Sequence, residues 1–252
     1  MVFSLEAIVL AGGFARRMWP LTKDRPKHLL PVAGRPMLDY VMDKLESASG
    51  LNRIFISTNA KFESYFRRYI TTRTTEKILS LFIEDARSEH EKLGSVGALA
   101  FLIEENNLDD ELLVIGGDNI FDFEMNDFLN YFERKQANTV ALYDLKSKEK
   151  ASLYGVVTVD EEGRIIDFKE KPSKPDSTLV STACYAFTRT GVQNILRYVE
   201  EGNDRDKMGH FMEWLYKHDD VFGFIFEGVW FDIGSFEVYG AANKYFNRLT
   251  DH

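Results

Sequence analysis

The chain has 252 residues, 44% of them apolar and 28% charged, a length that suits one large α/β domain or two small ones and is enough to bury a substantial core. Asp and Glu number 40 against 31 Lys and Arg, for a net charge of −9. That balance argues against nucleic acid as a partner and requires any phosphate site to be a local positive pocket in a negative surface.

The first residues, Met1–Glu6, lack a basic segment and carry Glu6 where a leader peptide would be apolar. No apolar run approaches the length that spans a bilayer, so no membrane partner is expected and the reading is cytoplasmic. Ala7-Ile8-Val9-Leu10 reads as the first strand of a sheet. It runs into Leu10-Ala11-Gly12-Gly13-Phe14-Ala15-Arg16-Arg17-Met18-Trp19-Pro20-Leu21-Thr22, then Pro26-Lys27-His28-Leu29-Leu30-Pro31-Val32. Paired glycines after a short strand let the backbone turn sharply and aim its N–H groups at an anion. Arg16, Arg17 and Lys27 add positive charge to the same loop, a common way to hold a polyphosphate. The spacing is neither the Gly-x-Gly-x-x-Gly of dinucleotide sites nor that of a P-loop.

This stretch resembles the signature of the sugar-1-phosphate nucleotidylyltransferases, Gly-Gly-x-Gly-Thr-Arg-Leu-x-Pro-Leu-Thr followed by Pro-Lys-x-Leu-Leu-Pro-Val. Ala15 stands where that family usually has a third glycine, and Arg16 where it usually has threonine. The resemblance assigns Leu10, Ala11, Gly12 and Gly13 to the nucleotide, Arg17 to the leaving β,γ-phosphates and Lys27 to the α-phosphate. It assigns nothing to Arg16.

Pro36 opens a helical pattern with Met37, Leu38, Val41, Met42 and Leu45 on one face, stopped by Gly50. Arg53–Thr58 reads as a second strand, Lys61–Tyr69 as a helix and Leu81–Glu84 as a third strand, an alternation that indicates parallel βαβ units. Gly94-Ser95 begins a helix with Val96, Leu99, Ala100 and Ile103 on its apolar face. The family has Leu-Gly-Thr-Ala-x-Ala here, packed against the base, and many members read the base edge with a glutamine a few residues earlier. Glu91 and Lys92 occupy that neighbourhood in this chain. Helix N-termini often face ligands in such folds, which favours Gly94 as a base contact over simple close packing.

Leu112-Leu113-Val114-Ile115 reads as a fully buried central strand ending in Gly116-Gly117-Asp118. An Asp at the carboxyl end of such a strand is placed to bind a hard cation, although capping the following turn is an ordinary alternative. The family places its Mg²⁺ ligand at this Gly-Asp, which implies a nucleotide contact at Gly117 and a metal ligand at Asp118. Asn126–Gln136 reads as a helix, Thr139–Tyr143 as a strand and Lys146–Lys150 as a charged, solvated loop. Tyr154–Asp160 and Arg164–Phe168 flank Glu161-Glu162-Gly163 as a hairpin.

Tyr154-Gly155-Val156-Val157 and Lys169-Glu170-Lys171-Pro172 resemble the family's Tyr-Gly-Val-Val and x-Glu-Lys-Pro. The resemblance implies sugar contacts at Tyr154, Gly155 and Glu170, and places Lys171 on the sugar phosphate. Read alone, Glu170 and Lys171 would be an ordinary exposed ion pair. Leu179–Phe187 is a strand that holds the lone cysteine, Cys184, as a buried small hydrophobe unable to form an internal disulfide. Ser181 and Ala183 replace the family's Asn and Gly here, with Ser181 at the sugar-contacting place. Val192–Glu200 and His210–His218 read as amphipathic helices, with both histidines structural or solvated. Val221–Glu227 is a strand leading to Trp230-Phe231-Asp232-Ile233-Gly234. That segment matches the family's Trp-x-Asp-x-Gly, whose Asp is the second Mg²⁺ ligand, and a helix follows over Phe236–Leu249.

The expected architecture is a single domain over residues 1–252, α/β in class. Its sheet would be Rossmann-like, mixed and mostly parallel, with helices on both faces and a smaller strand-rich subregion on the sugar side. The length leaves no room for the C-terminal β-helix or acyltransferase domain that some relatives append. The implied reaction joins a nucleoside triphosphate and a sugar 1-phosphate into an NDP-sugar, releasing pyrophosphate with Mg²⁺ as cofactor. Glucose 1-phosphate with dTTP or UTP is the favoured pair. A non-catalytic regulatory subunit of the family, a nucleotidylyltransferase for a non-sugar phosphate and a metal-dependent glycosyltransferase stay open, as does a homo-oligomer.

Overall fold

The structure is a computed structural model that describes residues 5–250. The chain begins with β1 (Leu5–Leu10), two short strands β2 (Pro31–Val32) and β3 (Arg35–Pro36), α1 (Met37–Glu46), β4 (Leu51–Asn59) and α2 (Glu63–Thr72). It continues through β5 (Ile78–Glu84), α3 (Ser95–Asn106), β6 (Leu112–Gly116), β7 (Asn119–Phe121), α4 (Met125–Lys135), β8 (Asn138–Asp144) and α5 (Lys148–Ala151). The remainder is β9 (Gly155–Val159), β10 (Ile165–Glu170), β11 (Leu179–Phe187), α6 (Arg189–Glu200), α7 (Met208–Leu215), β12 (Val221–Phe226), β13 (Trp230–Asp232) and α8 (Phe236–Thr250).

Nine strands form one sheet, in the order β10-β9-β11-β6-β1-β4-β5, with β8 also pairing β11 and β12 pairing β8. The block β6-β1-β4-β5 is parallel, because α1, α2 and α3 return the chain to the same edge each time. Strand β11 runs antiparallel to β6, β8 and β9 and so opens the mixed half. The apolar runs explain the layering. Successive residues of β6 point to opposite faces: Leu113 and Ile115 join the core under α1, α2 and α4, while Leu112 and Val114 join the core under α3, α6 and α7. A third cluster, with Met18, Val32, Met37, Ile120, Ile233 and Ala242, seats α8 against the glycine loop and the small strands. The hairpin β9–β10 forms the smaller strand-rich edge and packs on α7.

One expectation changes: Lys146–Lys150 is not wholly a loop, since Ser147 caps a one-turn helix by accepting the Lys150 N–H at 3.3 Å. Asn119–Phe121, to which the sequence reading gave no element, is a strand. It pairs antiparallel with β13, an arrangement set by two segments more than a hundred residues apart.

Candidate active site

A cleft of about 410 Å³ opens at the carboxyl edge of the parallel strands, where the register sets Leu10 beside Ser57 on one side and Gly116 on the other. Ligand sites of open α/β sheets fall at this edge. The glycine loop is pinned from behind. The Ala11 N–H donates to the Ser57 carbonyl at 2.7 Å, and Asn59 Nδ2 donates to the Gly12 carbonyl at 2.7 Å. Leu10, Gly12 and Gly13 line the cleft, whereas Ala11 is fully buried behind them. Gly117 also lies at the rear: its N–H donates to the Leu10 carbonyl at 3.0 Å, and a Cβ there would meet His28 at 3.1 Å. Ala15 adopts a left-handed conformation (φ 47°), and its carbonyl accepts from Thr22 Oγ1 at 2.8 Å. That conformation accounts for glycine being usual at this place in the resembling family.

The short antiparallel pairing of β7 with β13 places Asp232 opposite Asn119. As a result Asn119 Nδ2 donates both to Asp118 Oδ1 at 3.0 Å and to Asp232 Oδ1 at 3.4 Å. Trp230 Nε1 fixes the amide by donating to Asn119 Oδ1 at 2.8 Å. One amide nitrogen within reach of both carboxylates holds them closer than the roughly 8 Å beyond which a single ion could not serve both. Lys27 Nζ donates to Asp118 Oδ2 in an ion pair that is mostly buried.

Burial alone would raise the Asp118 carboxyl, but the Lys27 ammonium and His28, together with the Lys27 and Asn119 hydrogen bonds, hold it at about 2. Asp232 is pushed up to about 6 by burial and then by the Asp118 charge, against the pull of Lys27, Arg17 and Lys171. Burial, reinforced by the Lys27 charge, lowers His28 to about 4, and its Nδ1 has no hydrogen-bond partner among the described residues. Arg17 reaches the same centre from the loop, its Nη2 lying 3.1 Å from where a Gly234 Cβ would stand. Two half-buried carboxylates that share one amide donor, one of them pushed up by its neighbour's charge, are a donor set that fits Mg²⁺. That ion takes one or two protein carboxylates and draws further ligands from phosphates.

The other half of the cleft holds Tyr154, Gly155, Glu170, Lys171 and Ser181. Tyr154 packs edge-on against Trp230 (ring centroids 5.0 Å apart), and burial followed by the Asp232 charge raises its phenol to about 12. The Glu170 carboxylate lies over two glycines: a Cβ on Gly155 would stand 3.4 Å from Oε2, and one on Gly209 would overlap it. Lys171 takes a left-handed backbone (φ 48°) fixed by its N–H donating to the Tyr154 carbonyl at 3.0 Å. Its half-exposed ammonium stands 3.8 Å from Glu170. Ser181 Oγ donates to the Thr182 carbonyl at 3.1 Å.

At the opposite end Gly94 lines the cleft, but the start of α3 is not open to a ligand. The N–H groups of Ser95, Val96 and Gly97 donate to the carbonyls of Asp206 and Arg205 at 3.0, 3.0 and 3.3 Å, so the Arg205–Asp206 segment closes that helix end. Glu91 folds into its own loop, accepting the Arg87 N–H at 2.7 Å, while Lys92 lines the cleft and pairs with Glu89 and Asp206. Arg16 is not part of the main cleft's lining; it lies over the Trp19 ring at 5.4 Å and lines a smaller groove with it. The sequence reading missed Glu84, a buried carboxylate at the end of β5 that also lines the cleft. Its signal was available: one acid closing the apolar run Leu81-Phe82-Ile83, the pattern that marked Asp118.

A family model described as nucleotidyl transferase matches residues 6–248. The bifunctional protein GlmU of Methanocaldococcus jannaschii is 31% identical over 244 residues, 96% of this chain and 54% of its own length. The UTP–glucose-1-phosphate uridylyltransferase AglF of Haloferax volcanii is 31% identical over 184 residues, 73% of this chain and 72% of its own. This chain spans little more than half the length of several of the curated relatives it matches. A Bacillus anthracis crystal structure in complex with a sucrose, assigned as a glucose-1-phosphate thymidylyltransferase, superposes with a TM-score of 0.83 at 25% identity over 97% of this chain and 96% of that one. The chain therefore belongs to the nucleotidyl transferase family, among the sugar-1-phosphate nucleotidyltransferases.

Proposed function

We propose that this chain transfers a nucleoside monophosphate from an NTP to a sugar 1-phosphate. The observation that carries the reading is the meeting in one cleft of the glycine loop, the Lys27–Asp118–Asp232 centre and the Glu170–Lys171 corner. A phosphate oxygen of the sugar 1-phosphate attacks the α-phosphorus in line. The new P–O bond forms as the bond to the β-phosphate oxygen breaks, and pyrophosphate leaves with the electron pair. The attacking phosphate is already anionic, so no protein nucleophile or base is required, and rate comes from positioning and charge neutralisation. Gly12 and Gly13 present backbone to the triphosphate. Arg17 balances charge on the departing pyrophosphate, Lys27 steadies the α-phosphate, Lys171 holds the acceptor phosphate, and Glu170 accepts from sugar hydroxyls with Tyr154, Gly155 and Ser181 around the ring. Asp118 and Asp232 would hold Mg²⁺, which when bound supplies charge neutralisation at the α-phosphate.

Glucose 1-phosphate as acceptor is supported by the names of the Haloferax volcanii and Bacillus anthracis relatives. The uridylyl and thymidylyl donors in those names concern those proteins. The test is product formation by the purified chain across nucleoside triphosphates and sugar 1-phosphates with Mg²⁺, reading NDP-sugar and pyrophosphate. No product from any pair would overturn the reading.

A further inference from the structure

At the nucleotide end of the cleft two acids join the lining: Asp206, which is paired with Lys92, and Glu84, which has no cation within ion-pair distance among the described residues. It ends β5, is 5% exposed, and faces the glycine loop, where a Cβ on Gly12 would stand 3.7 Å from its Oε2. Its Oε1 accepts the Leu93 N–H, which fixes the carboxylate plane and uses the donor that the loop before α3 could have offered a base. The Ser95 hydroxyl is also engaged, donating to the Asp206 carbonyl at 2.8 Å. Lys92 lines the same cleft and acts on Glu84 through space.

The base end thus offers the acceptor-only Glu84 carboxylate near the Lys92 ammonium, which also pairs with Glu89 and Asp206. Uracil and thymine present a single N3–H between two carbonyl oxygens, so a facing carboxylate meets at least one repelling acceptor. Adenine and cytosine present an amino group next to a bare ring nitrogen, which again opposes a carboxylate oxygen. Guanine presents N1–H and N2–H side by side, matched to the two oxygens of one carboxylate, with O6 adjacent for an ammonium.

We propose that Glu84 selects guanine, making GTP the donor substrate of this chain. The inference rests on the nucleotidyl-transfer reading of the cleft and names its nucleotide. A site built to hydrogen-bond two N–H groups leaves its carboxylate unpaired with any other base, which favours GTP by roughly a hundredfold or more.

Two measurements test it on the whole chain: binding of GTP, ATP, CTP, UTP and dTTP without acceptor by calorimetry, and kcat/KM for each with a panel of sugar 1-phosphates. The wild type should bind GTP tightest and turn it over fastest. Glu84→Gln keeps an oxygen for the Leu93 N–H but turns an amide donor toward the base. It should lose most of the GTP preference and gain on UTP or dTTP, with thermal stability held. A merely structural Glu84 would lower every nucleotide equally and leave the ratios unchanged, which overturns the proposal. So would a wild type that binds or uses UTP or dTTP as well as GTP. Product from other nucleotides with no GTP preference sinks the guanine assignment and keeps the transfer reading. GTP-selective binding without product does the reverse, and binding of no nucleotide removes both.

Discussion

Arg17, on the loop after β1, and Lys171, just past the end of β10, each bear on the charge of Asp232. Their expected failures differ. In the proposed reaction Arg17 would face the leaving group, where charge builds as the bond between the α-phosphorus and the β-phosphate oxygen breaks. Arg17→Ala should therefore lower kcat and kcat/KM together by about 10²–10³, with the fold intact. Near-normal kcat/KM in Arg17→Ala, with a large loss in Arg16→Ala, would transfer the role to Arg16, which in this structure stacks on Trp19 instead. Lys171 stands at the Glu170 corner, where the acceptor phosphate would lie. Lys171→Ala should raise KM for the sugar 1-phosphate by about tenfold or more, the scale of a lost charge-assisted contact, and leave KM for the nucleotide nearly unchanged. Equal effects on both substrates would remove Lys171 from the acceptor side.

The hairpin β9–β10 shapes the proposed acceptor corner through one absent side chain. A Cβ on Gly155 would stand 2.6 Å from Phe168 Cζ, and Phe168 is fully buried, so neither can yield without moving the strand pair. Gly155→Ala should cost about 1–3 kcal/mol of stability by overpacking and should also raise KM for the acceptor, because Glu170 rides on the same hairpin. Urea denaturation and initial rates read the two separately, and a stability loss with unchanged acceptor KM would detach the hairpin from the subsite. This hairpin was legible in the sequence, since period-2 apolar residues flank Glu161-Glu162-Gly163 and Gly163 takes the left-handed turn conformation (φ 84°). The parallel strands were legible as well, because burial on both faces writes continuous apolar runs such as Leu112–Ile115. Strand β7 was not, because Asn119–Phe121 pairs only with distant β13 and no local pattern announces that pairing. The closed N-terminus of α3 was hidden for the same reason: Arg205 and Asp206 meet it by tertiary packing, and their backbone carbonyls, not their side chains, make the contact.

Across the whole molecule, the pairing of β7 with β13 joins the end of a central parallel strand to the segment before α8, and the two aspartates meet only because of it. Neither should bind Mg²⁺ tightly alone, since that ion releases water reluctantly and gains ligands from substrate phosphates. Activity should be abolished by excess chelator and restored by added Mg²⁺. Asp118→Asn and Asp232→Asn should each be nearly inactive, and the double variant little worse, because the pair acts as a unit. Stability separates them. Asp232 holds its proton to about pH 6 in the folded chain but releases it near 3.8 when unfolded, so between those values the folded state binds more protons and stability falls as pH rises. In chelator, Asp232→Asn should therefore match the wild type below about pH 4 and exceed it by up to about 3 kcal/mol above about pH 6. Asp118→Asn should go the other way, because it leaves the mostly buried Lys27 ammonium without its partner. Urea titrations at pH 4 and pH 7.5 read both signs. A less stable Asp232→Asn at pH 7.5, or full activity in excess chelator, would dissolve the shared acidic centre as the place where these distant segments hold a cation.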